Sequence, residues 1–451
     1  MSETRVRPSA APCDPAPPRS PLRVLAARAL PLYLSMLATL ATGVVGAVVL
    51  GRVDTAQLAA HALVTAVLAS AVMAVQGALR GTMPFVARHE DDPEALRAVV
   101  RDGVWLALLL GCAAALAVLC VPPLAGAVGV AAETRAALGV YPWFVALHAL
   151  TAALTASATT LLVALGRNRS VLALSLVGAV LALATTPPLV LGLGPLPALG
   201  LTGAGWTLVA NGVVVLVLKG YAVRRALPPG ARPAFGAPVW ARVGEIARVG
   251  LPSGATLLVK SVALGALVVA VARLGAVEAA THQFLVLLAH LLFLPALAVG
   301  QSMIPLVARA VAQGDPDRAR RTVRAGYALA LPVTVAGLVP LVVFAEPVAG
   351  VVSPDPAVGA AMAAVLPLLA LVVVADGVQV VAGTGLVALR RTTSSLYVFA
   401  CFYGGLVLAA GPLTGAGGLT ALWAGYAVAV AGLVVGQTTA LVRRLGELRR
   451  C

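Results

Sequence analysis

The stretch Pro84-Phe85-Val86-Ala87-Arg88 recurs 221 residues later as Pro305-Leu306-Val307-Ala308-Arg309, and the recurrence decides the fold. The same offset lays Pro31 on Pro252, Arg52 on Arg273 and His61 on His282 without a gap. After a two-residue adjustment, Asp92-Pro93-Glu94 falls on Asp315-Pro316-Asp317 and Gly103 on Gly326. Further on, Leu162-Val163-Ala164-Leu165 echoes Leu386-Val387-Ala388-Leu389, and Leu201-Thr202-Gly203-Ala204-Gly205 echoes Leu413-Thr414-Gly415-Ala416-Gly417. An ordered series of this kind means two copies of one unit, and the question becomes what the unit is.

Composition answers it. The 451 residues are 60% hydrophobic and only 11% charged, with a mean hydropathy of +0.99. Soluble domains carry about a quarter charged residues, so an ordinary soluble enzyme is excluded. A helix needs about 20 apolar residues to cross the hydrocarbon core. Twelve stretches qualify, near 24–50, 57–79, 104–126, 139–163, 170–192, 201–222, 250–271, 282–302, 326–346, 360–386, 394–412 and 419–441. They lack the alternation of barrel strands. The predicted fold class is therefore an all-α membrane protein of twelve transmembrane helices, six per repeat. An even number of crossings gives both halves the same orientation, the parallel-repeat plan of many secondary transporters.

The net charge of +15 comes from 30 Arg and 2 Lys against 17 acids. The two tails and the loops after the second, fourth, sixth, eighth and tenth stretches hold 27 of the arginines; the other loops hold Arg52, Arg135 and Arg273. Such alternation fits the positive-inside rule with both termini cytoplasmic in a cell membrane. It also argues against nucleic acid as a partner. The predicted organisation is a disordered cytoplasmic tail over 1–22, an N-lobe over 23–222, a cytoplasmic interlobe linker over 223–249, a C-lobe over 250–442 and a tail over 443–451. Residues 1–22 lack the apolar core of a signal peptide. Five cysteines without metal spacing indicate neither a disulfide framework nor a metal site.

Pro31 opens the first helix, and the chain then reads Ala59-Ala60-His61; the second half has Leu274-Gly275 and Ala279-Ala280-Thr281-His282-Gln283. Gly314-Asp315-Pro316-Asp317-Arg318-Ala319-Arg320-Arg321, Asp376-Gly377-Val378-Gln379 and Leu389-Arg390-Arg391 complete the set. Together, over about residues 24–445, these features resemble the multidrug and toxic compound extrusion (MATE) transporters, within the wider multidrug/oligosaccharidyl-lipid/polysaccharide flippase superfamily. The resemblance implies a cation-coupled antiporter with two six-helix lobes, no enzymatic activity and no cofactor. It also marks departures. The family's first-helix Asp position holds Gly46, the Glu position of the seventh helix holds Lys260, and the tenth-helix acid survives as Asp376.

The residues point the same way unaided. Asp376 is the one acid deep in an apolar run, Val372-Val373-Val374-Ala375-Asp376, and Lys260 the one base so placed, in Leu257-Leu258-Val259-Lys260-Ser261. A charge at the bilayer centre costs about 2.5–3.5 kcal/mol or more, so each needs a partner or a wet cavity. Lys260 lies about 15 Å and Asp376 about 20 Å along their helices from the cytoplasmic side, a difference a lysine stem spans. The pair is predicted to couple proton entry to substrate release. A permanent ion pair fixing two helices is the competing reading, but buried pairs are poor stabilisers. With Lys260 filling the acidic position, a proton rather than sodium is the expected coupling ion.

Polar candidates for a substrate cavity are Thr39, Thr42, Gln76, Asn211, Ser253, Gln283, Gln301, Gln379 and Tyr403, with Gln283 and Gln379 ranked first. His148 and His290 fall inside segments and either could relay protons, although a hydrogen-bonded neutral histidine is the plainer reading. His61 and His282 are expected to cap or anchor outer helix ends. The run His89-Glu90-Asp91-Asp92 suggests diphosphate and magnesium binding, but its repeat partner has the form of a helix cap followed by Pro, which is preferred. Both runs are expected to start a short cytoplasmic helix. The expected substrate is a small organic, cationic and amphipathic compound; the partners are that substrate, protons and the bilayer, with no oligomer required. The alternatives are a lipid-linked oligosaccharide flippase, which wants a strongly cationic cavity, and a membrane-embedded transferase, which wants clustered acids at the interface.

Overall fold

The computed structural model describes residues 20–127, 129–193, 197–232, 236–343 and 356–448. Regular structure among the described residues is entirely helical. In the N-lobe the spanning helices are α1 (Pro21–Leu50), α2 (Thr55–Leu79), α3 (Pro93–Leu119), α4 (Tyr141–Ala164), α5 (Asn168–Leu191) and α6 (Gly200–Ala226). The C-lobe begins with α7 (Trp240–Ala272), α8 (Ala276–Ala312), α9 (Pro316–Val343) and α10 (Pro356–Ala388). A last helical stretch, Thr393–Glu447, leaves helical geometry at Gly417 and Gly418, where φ is +61° at Gly418. Glycine tolerates that left-handed turn, so the 55 residues hold two antiparallel spans, α11 before the break and α12 after it. Among the described residues, eleven helical stretches are long and apolar enough to cross a membrane, and with the last one split there are twelve spans.

Local chemistry sets the helix starts. Asp54 caps α2 through Ala56 N, and Asp92 caps α3 by accepting from Glu94 N and Ala95 N, both at 3.1 Å. Asp315 accepts from Arg318 N at 2.7 Å at the start of α9. The two cap runs do not begin short separate helices. With Pro at the first helical position and no breaker behind it, each leads straight into its span, and Leu96, Val99 and Val100 bury the first turns of α3.

Several expected boundaries also move. Residues 1–19 and 449–451 of the expected tails lie outside the described residues; Ser20 caps α1, and helix continues through Glu447. Helix enters the 223–249 segment from both ends, to Ala226 and from Trp240, because Val243, Ile246 and Val249 give it a buried face. Between them the chain is held by Asp102, which is fully buried on α3. It accepts from Val239 N and pairs with Arg242 at 3.2 Å and Arg101 at 2.9 Å.

Large side chains such as Leu408, Val428 and Val435 stand exposed along the spans, as a lipid-facing surface requires. The lobes meet where α1 packs on α8 and α2 on α7, which are equivalent contacts under the repeat. Along α2, the 3-10 turn that follows it (Arg80–Thr82) and α7 the backbones touch: a Cβ on Gly77 would lie 2.9 Å from Gly254 Cα, and one on Gly81 2.6 Å from Gly250 Cα. One hydrophobic core fills the N-lobe and continues into the C-lobe on the side of the chain ends, and a second lies wholly in the C-lobe beyond it. Polar contacts close the same side. Arg309 pairs with Glu90 at 2.5 Å and donates to Ala164 O, Asn168 donates to Ser302 Oγ at 3.2 Å, and Arg390 stacks on Phe85.

Candidate functional site

Two turns beyond Pro252, α7 turns Lys260 toward the C-lobe interior, and there it meets Asp376 of α10. Nζ donates to Asp376 Oδ2 at 2.8 Å, with the two side chains only 13% and 7% exposed. The other carboxylate oxygen, Oδ1, is buried with no hydrogen-bond partner among the described residues. From α8, Phe293 offers its ring face to the ammonium at 4.9 Å, and His290, one turn earlier, lies within electrostatic range of it. Tyr403 of α11 and Tyr426 of α12 form the far wall, both fully desolvated and close enough to Asp376 to interact with its charge.

The geometry has a definite chemical capability. An ionised carboxylate offers acceptor sites on both oxygens; here the lysine saturates one and leaves the other empty. Protonating Oδ1 would neutralise the aspartate and strand the ammonium, so the pair resists a proton until something separates it. Once separated, each partner is a buried charge whose isolation costs several kcal/mol. Protonation and side-chain separation are therefore linked events at this site.

The remaining candidates fall elsewhere. Tyr403 belongs to the site. Gln379 does not reach it: its amide donates to Gln437 Oε1 at 2.8 Å, and Gln437 in turn donates to Ser395 Oγ, which closes a chain inside the lobe. Gln283 is exposed, beside the buried His282. In the N-lobe, Thr39 and Thr42 bond back to Ser35 O and Ala38 O, Gln76 is exposed, and His148 bonds Leu208 O at 3.1 Å. Asn211 similarly bonds Gly178 O, Ser253 is buried against α2, and Gln301 is half-buried on α8. Thr39, Thr42, His148, Asn211 and Gln379 thus tie helices together or serve their own backbone, the usual role of intramembrane hydroxyls and amides.

Sequence reasoning named His290 as a possible relay but missed Phe293 and Tyr426. The signal existed for Phe293, since it lies three residues after His290 and shares one helical face with it. It also missed two buried charges. Asp102 sits among arginines at a helix end and reads as solvated. Lys219, 6% exposed, donates to Thr159 Oγ1 at 3.0 Å, so Lys260 is not the sole buried lysine. His282 caps nothing: both ring nitrogens are buried without partners, whereas His61 bonds Tyr141 Oη at 2.7 Å. Among the described residues, no group of three or more His, Cys, Asp or Glu side chains is placed to hold a metal ion.

The sequence matches the MatE family over residues 31–187 and 252–413. It is 28% identical over 432 residues to multidrug resistance protein PmpM of Pseudomonas aeruginosa, covering 92% of this chain and 90% of that one. It is 29% identical over 387 residues to a probable multidrug resistance protein NorM of Aromatoleum aromaticum, covering 84% and 83%. Among solved structures, a MOP superfamily transporter from Pyrococcus furiosus, described as having a binding pocket of reverse polarity, superposes with a TM-score of 0.86. Its identity is 17%, over 95% of this chain and 97% of that one, and so speaks for the fold alone.

Proposed function

The chain belongs to the MATE family of membrane transporters, and from that premise we propose that it exports small organic cations in exchange for protons bound at Asp376 beside Lys260. The termini then face the cytoplasm of a cell membrane, and the closed side of the lobes is the cytoplasmic one. The carrying observation is the 2.8 Å pair with one carboxylate oxygen left open. The relatives named as multidrug resistance proteins support the substrate class.

The pair also argues for the ion. Sodium is held by gathered carboxylate and carbonyl oxygens. Here the lysine ammonium fills that place against Oδ2, and the aromatic face of Phe293 behind it offers no oxygen. A proton needs only one free lone pair, and Oδ1 has one. An incoming organic cation competes with Lys260 for the carboxylate and for the aromatic faces of Phe293, Tyr403 and Tyr426. Proton arrival at Oδ1 removes the negative charge and with it the hold on the cation.

Purified protein in proteoliposomes loaded with ethidium tests this directly. Acidifying the outside in sodium-free buffer should drive ethidium out, a protonophore should stop it, and Asp376→Asn should abolish the driven component while leaving the protein folded. Undiminished driven efflux by Asp376→Asn, or a strict need for sodium, overturns the reading.

A further inference from the structure

Beyond Asp376, the interior of the C-lobe contains a row of polar atoms that the transport site does not use. His282 of α8 is 2% exposed and neither ring nitrogen has a partner. Its ring meets Trp423 of α12 edge-on, at 5.8 Å between centroids, and Trp423 Nε1 is also buried and unpartnered. Trp423 packs at 5.6 Å on Tyr426, one turn along the same helix, and Tyr426 at 6.3 Å on Tyr403. The Tyr403 hydroxyl faces Tyr426 without a hydrogen bond of ordinary geometry, and both phenols adjoin Asp376, whose Oδ1 is the next unpartnered atom.

Buried polar atoms without partners are scarce in folded proteins, because each costs about 1–3 kcal/mol. Four residues in a row from the outer end of a lobe to the buried carboxylate of Asp376 therefore ask for a common explanation. The outer end of the row is open. One turn above His282 and Trp423 lies a cavity of about 250 Å³ lined by Glu278 of α8, Ala361 and Val365 of α10, and Leu419 and Thr420 of α12. It is on the side away from the chain ends, at the Gly417–Gly418 break.

We propose that this row is a water-bridged proton path, with His282 taking protons from the outer cavity and passing them by way of Tyr426 and Tyr403 to Asp376. The inference rests on the proton-coupled reading above. The transfers balance at each station. A neutral imidazole accepts a proton on one nitrogen and releases the proton it carried on the other; a tyrosine hydroxyl accepts one and donates its own; Asp376 Oδ1 ends protonated and Lys260 is freed. Trp423 only donates, so it orients a bridging water and does not carry the proton. The groups facing His282 suit the role. Glu278 lies one turn outward on its own helix, α12 presents Trp423 and Tyr426, and no charged side chain among the described residues acts on the ring from any packed helix.

The test uses the full chain in proteoliposomes loaded with ethidium. His282→Gln and His282→Phe should each lower pH-driven efflux about a hundredfold, the scale of a lost proton-transfer group. Ethidium counterflow without a pH gradient should persist, since cation binding and lobe movement remain. The dependence of driven efflux on outside pH should also flatten. Should one variant fail to fold, the other, checked by counterflow, decides. A folded variant with wild-type driven efflux and pH profile overturns the path while leaving Asp376 as coupling site if Asp376→Asn is still dead. If Asp376→Asn is also fully driven, the coupling reading itself has failed.

Discussion

Where the repeat offset puts Lys260 in α7, the N-lobe has Thr39 in α1, and the register that lays Leu162 on Leu386 puts Ala152 opposite Asp376. Thr39 bonds the preceding turn of its own helix, while Lys260 reaches across the lobe to another helix. The outer histidines diverge in the same sense: His61 is satisfied by Tyr141, and His282 has no partner at either nitrogen. Both lobes thus use one helical plan, but at these equivalent positions one half satisfies its polar groups locally and the other holds an ion pair and a histidine without partners. The contrast teaches that a duplicated scaffold permits division of labour. A lobe that carries no charge-separating site can serve as a rigid counterpart against which the active lobe moves.

The contrast can be broken outright by giving the C-lobe the N-lobe's residues. Lys260→Thr alone strands Asp376 and should lower stability by about 3–5 kcal/mol. Adding Asp376→Ala, the N-lobe residue, should recover most of that loss while transport stays absent. Denaturant midpoints in detergent read both steps; a Lys260→Thr variant as stable as wild type would mean that the pair is not what holds Asp376.

A smaller effect is expected at the junction the lobes share. Gly250→Ala pushes a methyl into the α2 backbone at Ala78 and should oppose closure by about 1–3 kcal/mol. With cysteines at positions 168 and 302, disulfide yield should fall in the Gly250→Ala background; an unchanged yield would show that the junction yields easily.

The smallest effect sharpens the comparison. Tyr141→Phe removes one hydrogen bond from His61, worth about 1 kcal/mol, and should leave ethidium efflux unchanged. Tyr426→Phe, a chemically identical change in the other lobe, should slow efflux at matched stability. Equal responses would erase the functional difference between the lobes.

Much of this was legible in the sequence, for physical reasons that also mark where reading stops. Hydrocarbon thickness and arginine placement impose patterns visible in one dimension, so the twelve spans and the repeat stand out. Lys260 and Asp376 stand out because a charge in an apolar run is costly wherever its partner lies. Gln379 is different: an amide bonded within a lobe and one lining a cavity have the same sequence signature, and only the positions of Gln437 and Ser395 separate them. His282 was misread because its lack of partners depends on what α12 presents to it, about 140 residues away. Asp102 was missed because arginine neighbours in sequence disguise a side chain that is fully buried in space.

The glycines of α2 and α7 have one more consequence. Where side chains interdigitate, two helices move relative to each other in notches, each step unlocking one packed arrangement before reaching the next. At Gly77, Gly81, Gly250 and Gly254 there are no teeth to disengage, and the lobes meet on a smooth bearing. Such a joint guides a tilt without setting its angle. The angle is then left to the contacts beside the joint: the Glu90–Arg309 pair, the buried Asn168–Ser302 hydrogen bond and the apolar core shared by both lobes. A transporter built this way changes its state by parting one face of its lobes about that joint.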